Sequence, residues 1–279
     1  MIELKGVEVA KALSAEMKEK VAGFARKPLL AIVMVGHDPG SVSYVTGAKK
    51  RMQKIGIECR EVLFPEDTEN AVFQAAFKEL NADETVDGII VMTPLPKQID
   101  YNETLKNLDP EKDMDAQTDE SRVRIYMGKE GIRPCTPEAV IAMLDFYGIE
   151  IAGKKAAVIG RSLNVGKPVF HMLTERNATV TLCHSKTPDL PAVARNADIL
   201  VVTIGKAEFV DDSFVKEGAA VLDVGINVNA EGKLCGDVNY EKVSAVAGAL
   251  SPVPGGVGSV TTTMLASHVI RAYEKKAGI

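Results

Sequence analysis

The sequence predicts an α/β protein built from two βαβ domains. Three observations support this fold class. Short apolar runs alternate with helical patterns from residue 29 onwards, a second alternating series begins after Gly153, and 279 residues, 46% hydrophobic and 25% charged, suffice for two substantial cores. Strands separated by helices pair in parallel, so we expect parallel βαβ units in both series.

The elements follow in chain order. β-rich runs and helical periodicity predict strands over 29–35, 58–64 and 88–92, and helices over 42–55 and 71–80. Pro94 and Pro96 end the third run in a rigid loop, the kind of place where a ligand meets the carboxyl ends of strands. The second series predicts strands over 155–159, 178–183, 199–202 and 220–224. Residues 109–133 are charged and irregular, and the Gly/Pro-rich segment 251–258 opens into a helix over 262–275.

The two series define two domains. We assign residues 1–135 with the C-terminal helix, 256–279, to one domain and residues 136–255 to the other. A helix over 136–147, with Thr136 as N-cap and Pro137 in its first turn, begins the second domain. Because the chain crosses between the domains twice, we expect an interdomain cleft in which a second ligand can meet a cofactor.

The composition argues against several classes of protein. A net charge of −5 does not suit a nucleic-acid-binding surface, and the basic run 49–51 is typical of a solvated helix face. The four cysteines form no C-x-x-C pair, and the four histidines lack the spacing of metal ligands. The start of the chain has no long apolar segment, and no later stretch is long enough to span a bilayer. We therefore expect a cytoplasmic protein with reduced thiols, no metal, no nucleic acid and no membrane partner.

The stretch from Ala157 to Pro168 is the most informative in the chain. An apolar run breaks into a turn bounded by Gly160 and Gly166 and continues as a helical pattern. Such a turn lets backbone N–H groups and a helix N-terminus face a pyrophosphate, as dinucleotide binding requires. The spacing differs from Gly-x-Gly-x-x-Gly, so an ordinary strand-to-helix connection explains these glycines equally well.

The next β-rich run ends where the ribose of a dinucleotide would lie. It is followed by His184, Ser185, Lys186 and Thr187, with no carboxylate among them. An NAD site usually has an acid there for the 2′-hydroxyl, whereas a 2′-phosphate favours hydroxyls and cations. Together with Arg161, this pattern favours NADP over NAD, although a solvated polar turn would also account for Lys186.

Several segments share the motifs of one enzyme family and occur in its order. They are VGHDPGS (35–41) with Tyr44, PLP (94–96), DPEKDMD (109–115), PCTP (134–137), GRSLNVGKP (160–168), CHSKT (183–187), DVGIN (223–227), GDV (236–238) and PGGVG (254–258) with Thr261. Over nearly its whole length the chain resembles the methylenetetrahydrofolate dehydrogenase/methenyltetrahydrofolate cyclohydrolase family. The resemblance implies a folate-binding N-terminal domain, a Rossmann-type NAD(P)-binding domain and a homodimer. It also implies NAD(P)-dependent oxidation of 5,10-methylenetetrahydrofolate and, in bifunctional members, hydrolysis of the methenyl product to 10-formyltetrahydrofolate.

The resemblance also implies roles for individual residues. Tyr44 would pack on the pterin or its one-carbon bridge, and Asp115 would accept hydrogen bonds from the pterin amino groups; both are candidate catalytic and substrate-binding residues. Further candidate substrate-binding residues are Pro254, Gly255, Gly256 and Thr261. The candidate cofactor-binding residues are Gly160, Arg161, Ser162, Val165, Gly166, His184, Ser185 and Ile226. From the residues alone, Tyr44 could equally be a packing residue and Asp115 a loop-capping carboxylate.

The sequence departs from the family at a coupled pair of positions. Bifunctional members have a lysine one helical turn after the tyrosine, where this chain has Ala48, and a glutamine at the position of Met92. Lys49 is one step further along the helix and should point about 100° away. A smaller departure puts Ala116 where a glycine normally follows the aspartate.

These departures bear on only one of the two family reactions. Hydrolysis needs a positioned acid/base, whereas hydride transfer needs mainly proximity and orientation. We therefore hypothesise a dehydrogenase with weak or absent cyclohydrolase activity. The alternatives are a full bifunctional enzyme in which Lys49 or another group activates water, a folate- or nucleotide-binding module without turnover, and an unrelated two-domain dehydrogenase acting on shikimate or an amino acid.

Overall fold

A computed structural model describes residues 1–279. The chain divides into two compact units: Met1–Lys11 with Pro134–Thr261, and Ala12–Arg133 with Thr262–Ile279. We call them the nucleotide unit and the folate unit, after the sequence motifs each contains. These boundaries differ from the expected ones at both ends of the chain, because residues 1–11 and 256–261 lie in the nucleotide unit.

Eleven strands and ten α-helices follow one another along the chain. The strands are β1 (Ile2–Glu3), β2 (Leu29–Val35), β3 (Glu58–Phe64), β4 (Gly88–Val91), β5 (Lys155–Ile159), β6 (Thr179–Cys183), β7 (Ile199–Val202), β8 (Ala220–Asp223), β9 (Asn227–Val228), β10 (Leu234–Cys235) and β11 (Ala249–Leu250). The helices are α1 (Gly6–Ala22), α2 (Pro39–Ile55), α3 (Asn70–Ala82), α4 (Tyr101–Asn107), α5 (Asp119–Tyr126), α6 (Cys135–Phe146), α7 (Gly166–Glu175), α8 (Leu190–Ala194), α9 (Tyr240–Ser244) and α10 (Gly258–Ala277). This alternation confirms the predicted α/β class.

The nucleotide unit is built on a six-stranded sheet. Its strand order is β1-β11-β8-β7-β5-β6, and every pair in it is parallel. The chain leaves β5 for β6 on one side and then returns to β7 on the other. In open α/β sheets this reversal creates a crevice at the carboxyl ends of the strands, where ligands bind. Pairing of β1 with β11 explains why the first eleven residues belong here.

The folate unit contains a three-stranded parallel sheet in the order β3-β2-β4. The central strand β2 is apolar throughout and buried at six of its seven positions, as expected for a strand covered on both faces. Phe73 and Phe77 of α3 are fully buried against it, together with Val33 and Ile89. This core holds α3 against the sheet.

Two local expectations were wrong. Residues 109–133 are not irregular throughout, since they contain α5, whose N-cap Thr118 accepts a hydrogen bond from the N–H of Ser121. Thr136 is not an N-cap, because α6 begins at Cys135 after Pro134. In the first case the charged composition hid a short, polar helix. In the second, Pro134 in the β-region is the N-cap, two residues before Thr136.

Candidate active site

The turn between β5 and α7 depends on close contacts of two glycines. Gly160 has φ +126°, and a Cβ there would lie 2.2 Å from the carbonyl oxygen of Thr203. A Cβ on Gly166 would lie 2.2 Å from the oxygen of Gly160. Both glycines are therefore required by the tight crossing of strand and helix. Ser162 Oγ accepts from the N–H groups of Val165 and Gly166 at 3.2 Å, and the side chains of residues 161–164 are exposed.

The turn after β6 lies beside this one. The N–H of Gly160 donates to the carbonyl of Cys183 at 2.9 Å, so the two strand ends are adjacent. His184 is half-buried; its N–H donates to Thr187 Oγ1, and its Nδ1 accepts from the N–H of Lys186. Ser185 and Lys186 are exposed. The structure thus places the turns Gly160–Gly166 and His184–Lys186 side by side at the carboxyl ends of β5 and β6. Neither turn contains a carboxylate.

Ile226 lies at the carboxyl end of β8 on the same sheet. Its side chain is 67% exposed, while its neighbours Gly225 and Asn227 are held in place. Buried Asp237 accepts from Asn227 Nδ2 at 2.9 Å and from three successive N–H groups of residues 204–206. An exposed apolar side chain on so rigid a segment is suited to contact a ligand.

Asp223 secures the same loops from the end of β8. Its carboxylate accepts from the N–H groups of Gly225, Asp237 and Val238 at 2.8–3.0 Å. Burial raises the pKa of Asp223 to about 6, against the opposing effect of these hydrogen bonds. A Cβ on Gly236 would lie 1.9 Å from Asp223 Oδ2, so this position requires glycine.

The candidate substrate residues are divided between the two units. Pro254, Gly255 and Gly256 follow β11 in the nucleotide unit, and buried Thr261 lies on the first part of α10. A Cβ on Gly256 would lie 2.3 Å from the oxygen of Pro252, so the turn requires this glycine. Tyr44 and Asp115 lie in the folate unit.

Tyr44 and Ala48 lie on α2 in the folate unit. Asp38 caps this helix by accepting from the N–H of Ser41 at 2.8 Å, and Ser41 Oγ donates to the carbonyl of Thr93 at 3.2 Å. The start of the helix is thereby fixed beside the loop that follows β4. Tyr44 is half-buried, and Ala48 is fully buried on the face that Ser41 and Val45 also occupy.

Lys49 lies away from that buried face. Helix α2 runs unbroken to Ile55, so no bulge changes the position of Lys49 relative to Ala48. Its ammonium pairs with the carboxylate of Glu61 on β3, and its side chain is 44% exposed. The ion pair engages Lys49 with a neighbouring strand.

Met92 and Asp115 lie at the end of β4 and along its edge. The N–H of Met92 donates to the carbonyl of Val33 at 2.8 Å, which continues the ladder between β4 and β2. On the other edge of β4, Ile89 exchanges backbone hydrogen bonds with Lys112 and Met114. Asp115 follows directly and is half-buried. It is close enough to Tyr101 to help raise the pKa of that phenol, although burial is the larger cause.

One residue of this region was missed in the sequence. Gln117 is buried, its Nε2 donates to the carbonyl of Val91 at 3.1 Å, and its Oε1 has no hydrogen-bond partner. The only signal in the sequence was its place two residues after Asp115.

No group of three or more His, Cys, Asp or Glu side chains is arranged to hold a metal ion. None of the helices combines the length and the apolar character needed to cross a bilayer.

Comparison with known proteins identifies the family. Residues 4–115 match the model of the tetrahydrofolate dehydrogenase/cyclohydrolase catalytic domain, and residues 134–277 match that of the NAD(P)-binding domain of the same enzymes. The chain belongs to the tetrahydrofolate dehydrogenase/cyclohydrolase family. The predicted resemblance is thereby confirmed over both halves of the chain.

Individual relatives agree with the family models. The bifunctional protein FolD of Agathobacter rectalis is 42% identical over 98% of this chain and 99% of its own length, and that of Clostridium kluyveri is 44% identical over 98% of both. The crystal structure of the bifunctional FolD from Campylobacter jejuni has a TM-score of 0.95 at 35% identity and covers 99% of both chains. The Trypanosoma brucei enzyme, solved with NADP and an inhibitor, has a TM-score of 0.93 at 32% identity and covers 100% of this chain and 99% of its own.

Proposed function

We propose that this protein oxidises 5,10-methylenetetrahydrofolate to 5,10-methenyltetrahydrofolate with NADP and has little or no cyclohydrolase activity. The proposal is based on the glycine-bounded turn after β5 in the nucleotide unit and on Ala48 and Met92 in the folate unit. Family membership and the activities for which the relatives are named support the dehydrogenase.

The nucleotide unit fits the proposed cofactor. The turn after β5 exposes Arg161 and Ser162, and the adjacent turn after β6 exposes Ser185 and Lys186. Cations and hydroxyls without a carboxylate suit the 2′-phosphate of NADP better than the 2′-hydroxyl of NAD. Gly160, Val165, Gly166, His184 and Ile226 would complete the cofactor contacts. When bound, the nicotinamide would accept the hydride from the one-carbon unit.

The folate unit would orient the substrate. Tyr44 would pack on the pterin or its one-carbon bridge, and Asp115 would accept from the pterin amino groups. The family resemblance also assigns substrate binding to four residues of the nucleotide unit, Pro254, Gly255, Gly256 and Thr261. Hydride transfer asks the protein chiefly for proximity and orientation, because the folate nitrogens stabilise the cation that forms.

The proposed loss of hydrolysis follows from the side chains on α2 and after β4. Water attack on the methenyl carbon requires a group that moves protons, and an alanine and a methionine provide none. Lys49 lies on the unbroken helix α2 and forms an ion pair with Glu61 of β3. This arrangement argues against Lys49 taking the role of the missing lysine.

A second candidate is the full bifunctional enzyme that forms 10-formyltetrahydrofolate. The observation in its favour is the free Oε1 of Gln117, a buried acceptor beside the end of β4 that could hold a water molecule. An amide accepts and donates hydrogen bonds but is a poor base, so this candidate needs a further proton acceptor.

The experiment follows both products separately. The purified protein is given methylenetetrahydrofolate with NADP or NAD, and reduced cofactor, methenyltetrahydrofolate and 10-formyltetrahydrofolate are measured over time. We expect faster reduction of NADP than of NAD and accumulation of the methenyl product. Absence of reduction with either cofactor would refute the dehydrogenase and favour a binding module. By resemblance we also propose a homodimer, which light scattering of the eluted protein would test.

A further inference from the structure

Gln117 is a buried glutamine whose side-chain nitrogen is hydrogen-bonded and whose side-chain oxygen is not. The residue is 8% exposed, and only Nε2 of its amide has a hydrogen-bond partner, the carbonyl of Val91. Turning the amide over would place its oxygen against that carbonyl, so the oxygen is the end left free. Buried polar atoms without partners are rare in folded proteins and indicate a ligand or an ordered water.

The free oxygen lies at a defined place in the folate unit. The N–H of Gln117 donates to buried Asp113 at 2.9 Å, and the segment before it is bonded along the edge of β4. The side-chain amide extends this line of hydrogen bonds to Val91, the last residue of β4. The amide of Gln117 therefore lies at the carboxyl end of β4, and Gln117 follows Asp115 by two residues along the chain.

A second buried glutamine in the same unit shows what a purely structural role looks like. Gln74 on α3 is 3% exposed, and its Nε2 donates to Thr104 Oγ1 at 2.9 Å and to the carbonyl of Asp100 at 3.1 Å. Its Oε1 accepts from Asn107 Nδ2 at 3.1 Å. Both ends of this amide are satisfied inside the protein, in contrast to Gln117.

We propose that Gln117 is a substrate-positioning residue whose Oε1 accepts a hydrogen bond from an N–H group of the bound pterin ring. A reduced pterin carries ring N–H groups as well as an exocyclic amino group, and these donors point in more directions than one carboxylate can face. A neutral acceptor two residues from Asp115 along the chain suits a donor that Asp115 does not face. This proposal rests on the proposed function, since it assumes that a folate binds the folate unit.

The test compares Gln117→Met with Gln74→Met. Methionine has nearly the same length as glutamine and lacks its polar atoms, so each variant removes the amide with little change in volume. The measurements are KM for methylenetetrahydrofolate, KM for NADP, kcat, the thermal midpoint, and the Kd of tetrahydrofolate by calorimetry. Circular dichroism establishes that each variant is folded.

The two variants should behave in opposite ways. Gln117→Met should raise KM for methylenetetrahydrofolate and Kd for tetrahydrofolate by about tenfold, as expected when a donor on the ligand is left unpaired. KM for NADP should stay unchanged, and the thermal midpoint should hardly move, because an unsatisfied atom is removed together with one hydrogen bond. Gln74→Met should lower the midpoint clearly and leave KM and Kd unchanged.

Two results would overturn the proposal. Unchanged KM and Kd in folded Gln117→Met would mean that the amide serves only the fold. Loss of methenyl hydrolysis at unchanged KM would mean that Oε1 holds a water molecule instead of the pterin. If the wild-type protein reduced no NADP, the proposed function would fail, but the Kd of tetrahydrofolate would still decide the role of Gln117.

Discussion

Replacing Ala48 with lysine and Met92 with glutamine should give this protein cyclohydrolase activity. Residues four apart on a helix have Cβ atoms about 6 Å from each other, so a lysine at position 48 would share the face of Tyr44. A positioned acid/base contributes about 10²–10⁴-fold to a proton-transfer reaction. We expect the double variant to hydrolyse methenyltetrahydrofolate faster than the wild type by a factor in this range.

The same change should lower stability by a moderate amount. Ala48 is fully buried and Met92 is 9% exposed, so the lysine must enter a packed region. Overpacking of this kind costs about 1–3 kcal/mol in the free energy of unfolding. Burial would also lower the pKa of the new ammonium from its ordinary value of about 10.4 towards the working pH, where a lysine can act as a base. Ala48→Lys alone should gain less activity, and Met92→Gln alone should gain none.

The assay follows the disappearance of methenyltetrahydrofolate, with NADP reduction and the thermal midpoint as evidence that the fold and the dehydrogenase are retained. Lys49→Met is the matched control: because Lys49 pairs with Glu61, its removal should leave both rates unchanged. A folded double variant that reduces NADP without any gain in hydrolysis would show that Ala48 and Met92 are not the cause of the missing cyclohydrolase activity. So would loss of wild-type hydrolysis in Lys49→Met.

Three further predictions concern the loops. Gly236→Ala should cost at least about 2 kcal/mol of unfolding free energy, since its Cβ would meet Asp223, whereas Gly47→Ala, which has open space, should stabilise α2; urea unfolding compares them. The pKa of Asp223 is raised to about 6 in the folded protein, so the folded state binds the carboxyl proton more tightly than the unfolded state does, and the stability gained from this proton is lost as the pH rises through 6. The unfolding free energy of the wild type relative to Asp223→Asn should therefore fall by about 3 kcal/mol from about pH 4 to 7. A difference that stays constant with pH would contradict this. Ser185→Asp should raise KM for NADP, because the new carboxylate would repel the 2′-phosphate, and lower KM for NAD, because it would accept a hydrogen bond from the 2′-hydroxyl. An unchanged ratio of the two KM values would argue against the proposed ribose site.

Most of the fold could be predicted because its signals are local. The apolar run 29–35 corresponds to β2, and the runs 58–64, 155–159 and 199–202 correspond to strands with the same bounds. The domain boundaries could not be obtained in this way. Residues 2–3 of β1 pair with residues 249–250 of β11, and no pattern in the first eleven residues predicts a partner strand so far along the chain.

The candidate site was predictable to a similar extent. The turns at Gly160 and His184 follow strands that are neighbours in a parallel sheet, so their proximity follows from topology. The half-used amide of Gln117 could not be foreseen, because only the folded chain shows that Oε1 is buried without a partner. The strained φ of +49° at Ala116 is similar: the sequence showed an unusual alanine, and the structure shows a left-handed backbone there that favours glycine.

One time course tests directly whether hydride transfer is present and water attack is lost. The purified protein is mixed with methylenetetrahydrofolate and NADP, and NADPH and methenyltetrahydrofolate are followed together. We predict that methenyltetrahydrofolate accumulates in step with NADPH. Formation of NADPH without accumulation of methenyltetrahydrofolate, with 10-formyltetrahydrofolate appearing at the same rate, would contradict the loss of water attack and show that another group activates water.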